Sequence, residues 1–349
     1  MAQPPSRLDV ISQEPYNAET VPVEHTGVIT PNSSFYKRNH FPIPHLDPST
    51  WVLTVDGEVE QPLMLSYDAI LSLPRRTLTS TMECAGNARV SFDPPAQGEQ
   101  WKYGAASTAE WTGTPLAGVL GAAGPRDGAW EIVFEGADRG QVAGEDGPTG
   151  FVRSLPLERA LHPDTLLAYA MNGEPMPTEH GAPVRLVVPG WYGMASVKWL
   201  ERIRASSVQF RGFFQWDRYM MVDPDDESRR EPLGAMRVRS IFTEPLDGAA
   251  IPRGRHHIRG LAWSGSAPVE RVDVSTDGGA SWLPAWFTSP EQRYTWRQWE
   301  IAWDADAPGS CTLQCRAIDV NGDTQPVEAR WNRLGYANNA ILSVQVTVL

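Results

Sequence analysis

The chain has 349 residues, more than one ordinary hydrophobic core accommodates, so its length predicts two domains. Hydrophobic residues at 41% and charged residues at 21% are globular proportions, which exclude a largely disordered protein. The formal net charge of −12 argues against nucleic-acid binding, because such proteins gather Lys and Arg against phosphates. The same charge repels anions, so an anionic substrate would need local arginines.

The N-terminal segment, MAQPPSRLDVISQEP, predicts neither a secretory signal nor a membrane anchor. It lacks the apolar run of about 7–15 residues that a signal needs. Elsewhere, no stretch approaches the ~20 apolar residues of a membrane helix. We therefore expect a cytoplasmic protein, or a periplasmic one if a leader has been removed.

The first predicted elements in chain order are a loop and a strand. Residues 1–48 are rich in proline and are predicted to be loop-like, with 1–30 forming an N-terminal arm. WVLTVDGEVE then predicts a strand that buries Trp51, Leu53 and Val55 on one face.

Two short helices are predicted from their capping residues. Ser66 is expected to cap a helix through SYDAILSL, which ends before Pro74. Thr114 is expected to cap a second helix that opens at Pro115. Strands such as WEIVFEG and PVRLVVPG are interspersed, and no Gly-rich nucleotide fingerprint accompanies them. This alternation predicts a mixed α+β domain and not a Rossmann unit.

From about residue 235 the pattern changes to strands and turns. RVDVSTDGGASWLPAWF predicts a hairpin around Asp277 and Gly278, and WRQWEIAW and LSVQVTV alternate as strands do. Such a run of strands predicts an immunoglobulin-like β-sandwich. The acidic segment 222–232 is the predicted linker. The predicted domains are therefore 1–232 and 233–349.

The three cysteines are predicted to be free thiols. Cys311 and Cys315 alternate with polar residues along CTLQCRAID, as a strand would. At about 3.3 Å per residue they lie roughly 13 Å apart on one face, whereas a disulfide needs Cα atoms about 4.4–6.8 Å apart. Cys84 is then left without a partner.

The densest chemical signal is TMECAGNARV, around Cys84. A lone cysteine beside Ala and Gly is more often a core residue, since free Cys is among the most buried residue types. Arg89 favours the other interpretation, because an arginine near a thiol stabilises the thiolate that a soft metal or a nucleophile requires. Both interpretations stay open on spacing alone.

MECAGNAR resembles the Cys-Ala-Gly-Asn motif of the sulfite oxidase family. Three further blocks resemble that family in order: FYKRNHFPIP, LLAYAMNGEPMPTEHGAPVRLVVPGWYGMASVKWL and WNRLGYANNA. Together the blocks cover roughly residues 30–345. The resemblance implies a molybdopterin-binding catalytic domain followed by an immunoglobulin-like dimerisation domain. It also implies a homodimer and an external electron carrier such as a cytochrome, with no haem domain in this chain.

The resemblance also implies a site, residue by residue. Cys84 would ligate molybdenum as the sole protein ligand, and the implied catalytic pocket holds Arg38, Arg89, Trp101 and Phe210 beside it. The implied cofactor contacts are Tyr36, Arg38, Asn39, His40, Cys84, Asp138, His180, Arg185, Ser196, Val197 and Lys198. These types suit a pyranopterin, because its phosphate and polar ring edge need cationic forks, neutral donors and a carboxylate acceptor.

Two departures from the family bear on the substrate. Phe210 falls where animal sulfite oxidases carry a pocket tyrosine, and Leu334 falls where they carry a third substrate arginine. Loss of that arginine predicts sulfite binding that is weaker by about tenfold to a hundredfold. Arg333 can compensate only if its loop bends, because neighbouring side chains of an extended backbone point to opposite faces.

The leading prediction is a molybdenum-dependent oxidoreductase that converts sulfite to sulfate. A nitrate-reductase-like enzyme on the same scaffold is the alternative, and the apolar Leu334 favours it somewhat. A non-catalytic interaction protein built on the β-sandwich is the third. Zinc is disfavoured, because prolines between His40 and His45 prevent the helix that a paired-histidine motif needs.

Overall fold

A computed structural model of the chain describes residues 8–223, 226 and 228–349. The predicted N-terminal arm and the predicted linker therefore lie partly outside the described residues. Within the described part, no α-helix combines the length and apolar character that crossing a membrane requires.

The part of the chain before residue 233 contains short helices between strands. Its strands are β1 (Leu8–Ser12), β2 (Asn17–Thr20), β3 (Val52–Gly57), β4 (Leu63–Ser66), β5 (Arg76–Glu83), β6 (Ala106–Pro115), β7 (Glu131–Gln141), β8 (Pro148–Pro156), β9 (Leu166–Met171), β10 (Glu174–Pro175), β11 (Arg185–Val187), β12 (Leu200–Ser206), β13 (Met220–Val222) and β14 (Arg230–Pro232). Its α-helices are α1 (Tyr67–Leu71), α2 (Leu116–Ala123), α3 (Leu157–Ala160) and α4 (Phe213–Trp216).

Two five-stranded sheets organise this first part. One has the order β4-β3-β12-β7-β8, in which β12 is parallel to β3 and antiparallel to β7. The other has the order β10-β9-β6-β5, with β11 also paired to β9. Trp51, Leu53 and Val55 are buried in the core of the first sheet, as predicted. The mixed pairing confirms the α+β class.

One predicted helix start is confirmed and the other is wrong. The Ser66 hydroxyl accepts a hydrogen bond from the Ala69 N–H at 3.2 Å, so it caps α1. Thr114, in contrast, remains in β6, which continues through Pro115, and α2 begins at Leu116 without a side-chain cap. Pairing with β9 holds Thr114 in the sheet. The backbone polar groups of this strand are hydrogen-bonded to β9, so Thr114 does not have to act as a helix cap.

The N-terminal arm is more regular than the sequence predicts. The prediction of a loop through residue 48 is wrong for β1 and β2, which pair antiparallel from Leu8 opposite Thr20. All four residues of β2 are buried. Pro15 lies in the turn between the strands and not inside either one, so it is compatible with their pairing.

The second part of the chain is built from strands. They are β15 (Arg239–Glu244), β16 (Ala249–Ile251), β17 (Gly254–Trp263), β18 (Val269–Ser275), β19 (Leu283–Pro284), β20 (Trp286–Phe287), β21 (Arg297–Ala305), β22 (Gly309–Asp319) and β23 (Leu342–Val348). One sheet has the order β15-β17-β21-β20 and the other the order β16-β23-β22-β18-β19. Side chains of both sheets share one core, which confirms the predicted sandwich.

The strand predictions in this part are confirmed in detail. The pairing of β18 with β19 forms the hairpin predicted around Asp277, and β23 alternates buried and exposed residues along its whole length. Cys311 and Cys315 lie on β22, and both they and Cys84 are free.

Candidate functional site

The cysteine of the central motif lies directly after β5, at the point where the sheet ends. Cys84 is 7% exposed, and its backbone N–H donates to the Ala105 carbonyl at 2.8 Å. Burial raises the pKa of its thiol, while the nearby Arg38 and Arg89 guanidinium groups lower it. The thiol is therefore buried within the electrostatic influence of two permanent positive charges.

Two adjoining cavities meet at Cys84. The deep cavity, of about 670 Å³, is lined by nine of the eleven predicted cofactor contacts, namely Tyr36, Arg38, His40, Cys84, Asp138, His180, Arg185, Ser196 and Lys198. The vestibule, of about 540 Å³, is lined by residues that include Arg38, His40, Cys84, Arg89, Gly98, Trp101, Arg218, Tyr219, Leu334 and Tyr336. Arg38, His40, Cys84 and Tyr219 line both.

The two remaining predicted cofactor contacts lie behind the lining of the deep cavity. The Asn39 amide oxygen accepts a hydrogen bond from the Lys198 ammonium, and Val197 is 1% exposed. Asn39 thus orients a lining residue, while Val197 packs in the core.

Buried cations dominate the deep cavity. The Arg185 guanidinium donates to the His180 and Ser196 carbonyls at 2.8 and 3.0 Å, and Lys198 donates to the Glu179 carbonyl at 3.1 Å. Burial lowers the pKa of Arg185 to about 10 and that of His180 to about 3, and it holds the pKa of Lys198 well below its usual range. Within the described residues, neither Arg185 nor Lys198 forms an ion pair. The cavity is therefore suited to an anionic group.

Asp138 adds an acceptor to this cationic cavity. Its Oδ1 atom is buried without a hydrogen-bond partner, and burial raises the pKa of the carboxyl to about 6. A buried carboxylate oxygen without a donor costs free energy, which a ligand N–H would offset. Phosphate-binding cations and an unpaired acceptor in one cavity fit the phosphate and ring edge of a pyranopterin.

Arg89 is held rigidly at the opposite side of Cys84. It is 5% exposed, and its guanidinium donates to the Leu334 carbonyl at 2.8 Å and to the Glu99 carbonyl at 2.6 Å. A Cβ atom on Gly86 would lie 2.4 Å from this guanidinium, so a side chain at that position of the motif would displace Arg89. The motif spacing thus serves to place an arginine beside the thiol.

His40 and Tyr219 form a hydrogen-bonded pair between the two cavities. Arg38 Nη2 lies 3.0 Å from His40 Nδ1, and His40 Nε2 lies 2.6 Å from the Tyr219 hydroxyl oxygen. Burial and Arg38 hold the pKa of His40 well below its usual range, so the ring is neutral. Because Arg38 only donates, Nδ1 accepts and Nε2 donates to Tyr219. The Tyr219 hydroxyl proton is then free to point into the vestibule.

The sequence missed three vestibule residues, Arg218, Tyr219 and Tyr336. Tyr336 stacks on Tyr219 with ring centroids 5.1 Å apart. The Arg218 guanidinium lies 4.6 Å from the Phe213 ring and, within the described residues, forms no ion pair. Tyr336 lies in the WNRLGYANNA block but was not assigned to the site, and no motif marks Arg218 or Tyr219. The only signal was that Arg218 and Tyr219 follow closely on the segment that contains Phe210.

Phe210 itself does not reach the vestibule. It lines a separate groove with Glu58 and Arg204, and its backbone N–H donates to Glu131 Oε2 at 2.6 Å. This placement corrects the assignment of Phe210 to the catalytic pocket, because that backbone contact anchors the segment at the first residue of β7. Trp101 does line the vestibule, fully buried and with its indole Nε1 unpartnered.

Leu334 lines the vestibule, where the resemblance places it. Arg333 is exposed and lines an outer groove that also borders Leu334, so it does not take the place of the missing arginine. Arg218 lines both the outer groove and the vestibule. The third cation beside the thiol thus comes from a different segment than the family pattern suggests.

A buried ion pair connects the motif to the β-sandwich. Glu83, which precedes Cys84, accepts from Arg239 Nη1 at 3.0 Å and from Trp263 Nε1 at 2.9 Å. Asn87 of the motif donates to the same carboxylate at 3.0 Å. Because Arg239 lies on β15 and Trp263 on β17, the position of the motif depends on the second domain.

Comparison with known protein families identifies the family of this chain. The Oxidoreductase molybdopterin binding domain matches residues 40–214, and the Mo-co oxidoreductase dimerisation domain matches residues 230–349. The chain belongs to this family of molybdopterin-binding oxidoreductases, which confirms the family membership predicted from the four blocks.

Individual relatives resemble nearly the whole chain. Mitochondrial sulfite oxidase of Mus musculus is 39% identical over 98% of this chain and 66% of its own length. Sulfite oxidase of Arabidopsis thaliana is 33% identical over 95% of this chain and 92% of its own length. The sulfane dehydrogenase SoxCD from Paracoccus pantotrophus superposes with a TM-score of 0.88 and 31% identity, over 98% of this chain and 88% of that one. The chain thus spans about two thirds of the length of the mouse relative.

Proposed function

We propose that this chain is a molybdenum-dependent enzyme that oxidises sulfite to sulfate. The observation that carries the proposal is the position of Cys84, a buried free thiol at the junction of a cavity lined by buried cations and an arginine-lined vestibule. In this reaction sulfite gains one oxygen atom that derives from water, two protons are released, and two electrons pass to an external carrier. The bound cofactor would supply the redox metal for that transfer.

The deep cavity would hold the pterin by charge and hydrogen bonding. Arg185 and Lys198 would bind its phosphate, and Asp138 would accept hydrogen bonds from its ring edge. The Cys84 thiolate is the proposed ligand of molybdenum, because a thiolate is the soft donor that such a metal prefers. His180, neutral in this environment, would add a hydrogen bond without adding charge.

The vestibule would hold the oxyanion beside the metal. Arg38, Arg89 and Arg218 approach it from three different segments, so their guanidinium groups can bind several oxygens at once. The unpartnered Nε1 of Trp101 and the free hydroxyl proton of Tyr219 are two further donors. Five donors around one small cavity overcome the repulsion that the acidic protein exerts on anions.

The proposal includes the assembly and the division of the chain. Residues 233–349 are proposed to form a homodimer, as the matched dimerisation domain suggests. The division at residue 232 falls just inside the second family match, which begins at residue 230, and it stays a prediction.

Metal analysis followed by a substrate panel tests this function. Purified protein should contain stoichiometric molybdenum and pterin, and it should reduce a dye with sulfite. Sulfate formed should equal half the electrons delivered to a one-electron dye. Protein loaded with molybdenum that instead oxidises reduced viologen with nitrate would replace the sulfite proposal by the nitrate one. Protein without molybdenum or pterin would contradict both and favour an interaction protein.

A further inference from the structure

The N-terminal arm contacts two segments that line the vestibule. Its second strand, β2, has four residues, and all of them are buried. Alternate side chains of a strand share a face, so Asn17 and Glu19 point the same way. On that face lie the segment of Arg38 and the loop that follows Trp101.

Asn17 holds the segment of Arg38. Its amide oxygen accepts from the Asn39 backbone N–H at 2.6 Å and from Arg38 Nη1 at 3.3 Å. Its amide nitrogen donates to Ser12 Oγ at 2.8 Å and to the Pro15 carbonyl at 3.0 Å. Because the partners of the amide oxygen are donors and those of the amide nitrogen are acceptors, they fix the orientation of the amide. Asn17 is fully buried, so water cannot take the place of these partners.

Glu19 holds the loop after Trp101 in a similar way. Its two carboxylate oxygens accept from the backbone N–H groups of Lys102 and Gly104 at 3.3 and 3.2 Å. The next residue of β2, Thr20, donates its own N–H to the Gly104 carbonyl at 3.0 Å. One short strand is thus bonded to two of the segments that supply vestibule donors.

We propose that Asn17 is a positioning residue of the oxyanion site, which keeps the Arg38 guanidinium aimed at the vestibule, with Glu19 supporting the Trp101 loop. This inference rests on the proposed function, because Arg38 is there assigned to the oxyanion. Arg38 has no ion pair among the described residues, and its guanidinium also contacts the Asn39 carbonyl and His40, so Asn17 adds a further restraint that narrows the rotamers of this long side chain. A restrained donor loses less entropy when the anion binds.

The test compares cofactor-loaded wild-type protein with the variants Asn17→Ala, Ser12→Ala, Arg38→Met and Asn17→Ala/Arg38→Met. Ser12→Ala is the matched control, because it removes a partner of the same amide on the side away from Arg38. Steady-state kinetics with sulfite give KM and kcat separately, and sulfate serves as a competing oxyanion that needs no turnover. Crystal structures of the loaded wild-type, Asn17→Ala and Ser12→Ala proteins show the Arg38 guanidinium directly.

Asn17→Ala should raise KM for sulfite and the inhibition constant for sulfate by about tenfold, with kcat changed less than about twofold. Ser12→Ala should leave both constants within about twofold of wild type. In the Arg38→Met background, Asn17→Ala should add less than about a twofold effect, since its influence passes through Arg38.

Two kinetic results would overturn the inference. The first is equal constants for Asn17→Ala and Ser12→Ala. The second is an Asn17→Ala variant that raises KM and the inhibition constant by the same factor in the Arg38→Met background as in wild type, which is the result expected of a general loss of stability. If wild-type protein turns over no oxyanion, the proposed function fails, and the crystal structures still decide this inference. An Arg38 guanidinium that keeps its place in Asn17→Ala contradicts the inference, and one displaced only in that variant supports it.

Discussion

Replacement of Arg239 by methionine tests whether the β-sandwich holds the Cys84 motif, the proposed metal ligand segment, in place. Both partners of the Glu83–Arg239 ion pair are nearly inaccessible, with 2% and 4% of their side chains exposed. In Arg239→Met the Glu83 carboxylate stays buried and loses its counter-charge. Removal of one partner from such a pair costs about 3–5 kcal/mol, whereas most proteins are stable by only about 5–15 kcal/mol.

Matched variants separate this cost from simple loss of a side chain. Glu83→Gln/Arg239→Met removes both charges and should recover about half of the loss or more, because no unpaired charge remains. Arg126→Met removes one partner of an exposed pair, with 52% and 68% of its side chains accessible, and should cost less than about 1 kcal/mol.

Urea unfolding followed by fluorescence measures these differences, and metal analysis shows whether the motif still binds molybdenum. Arg239→Met should unfold at a much lower urea concentration and contain less molybdenum, since Glu83 precedes Cys84 in the chain. A loss below about 1 kcal/mol, or a double variant no more stable than Arg239→Met, would refute the reasoning.

Four further predictions concern the thiol, the vestibule, a buried histidine and the assembly. Cys84→Ala should fold with a near-native unfolding midpoint and lose both molybdenum and turnover; full activity in that variant would contradict the ligand assignment. Leu334→Arg should lower KM for sulfite by about tenfold, whereas Phe210→Tyr should leave it unchanged, because only Leu334 lines the vestibule. Burial lowers the pKa of His25 to about 4, so its contribution to stability is present above pH 6.5 and is lost as the pH falls from there toward 4. His25→Phe should therefore weaken the acid dependence of urea unfolding, by about 3 kcal/mol in total, and an unchanged slope between pH 7 and 4 would show that His25 is not the cause. Light scattering should give twice 38.6 kDa at micromolar concentration, and a monomer mass would contradict the homodimer.

The sequence predicted those elements whose pattern depends on one buried face. β3 and β23 alternate apolar and polar residues because a sheet with one covered side imposes a period of two, which is visible in any single segment. The β2 strand carries no such pattern. Its polar residues are buried because distant segments supply their hydrogen-bond partners, including Ser34 and Ser107 for Thr20.

The sequence predicted the site residues that belong to short motifs, in which the residue types and their spacing along the chain both match the chemistry of the site. Nine of the implied cofactor contacts line one cavity, because the motifs that carry them are short and each is held by its own backbone. Tyr219 was missed and Phe210 was wrongly placed because their segment follows the end of β12, where no local pattern fixes which residue turns inward. Arg218 enters the vestibule only through that same tertiary placement.

The sharing of Arg38 and His40 between the two cavities limits how substrate preference can diverge on this scaffold. If the two cavities hold cofactor and substrate as proposed, a substitution at either position would alter cofactor retention and substrate selection together, so selection for a new substrate would meet an immediate loss of metal loading. Leu334 and Arg218 border the vestibule without lining the deep cavity, and they are free of that conflict. Substitutions that change substrate specificity should therefore accumulate at Leu334 and Arg218. A library randomised at these two positions would be the efficient starting point for changing the substrate of the enzyme.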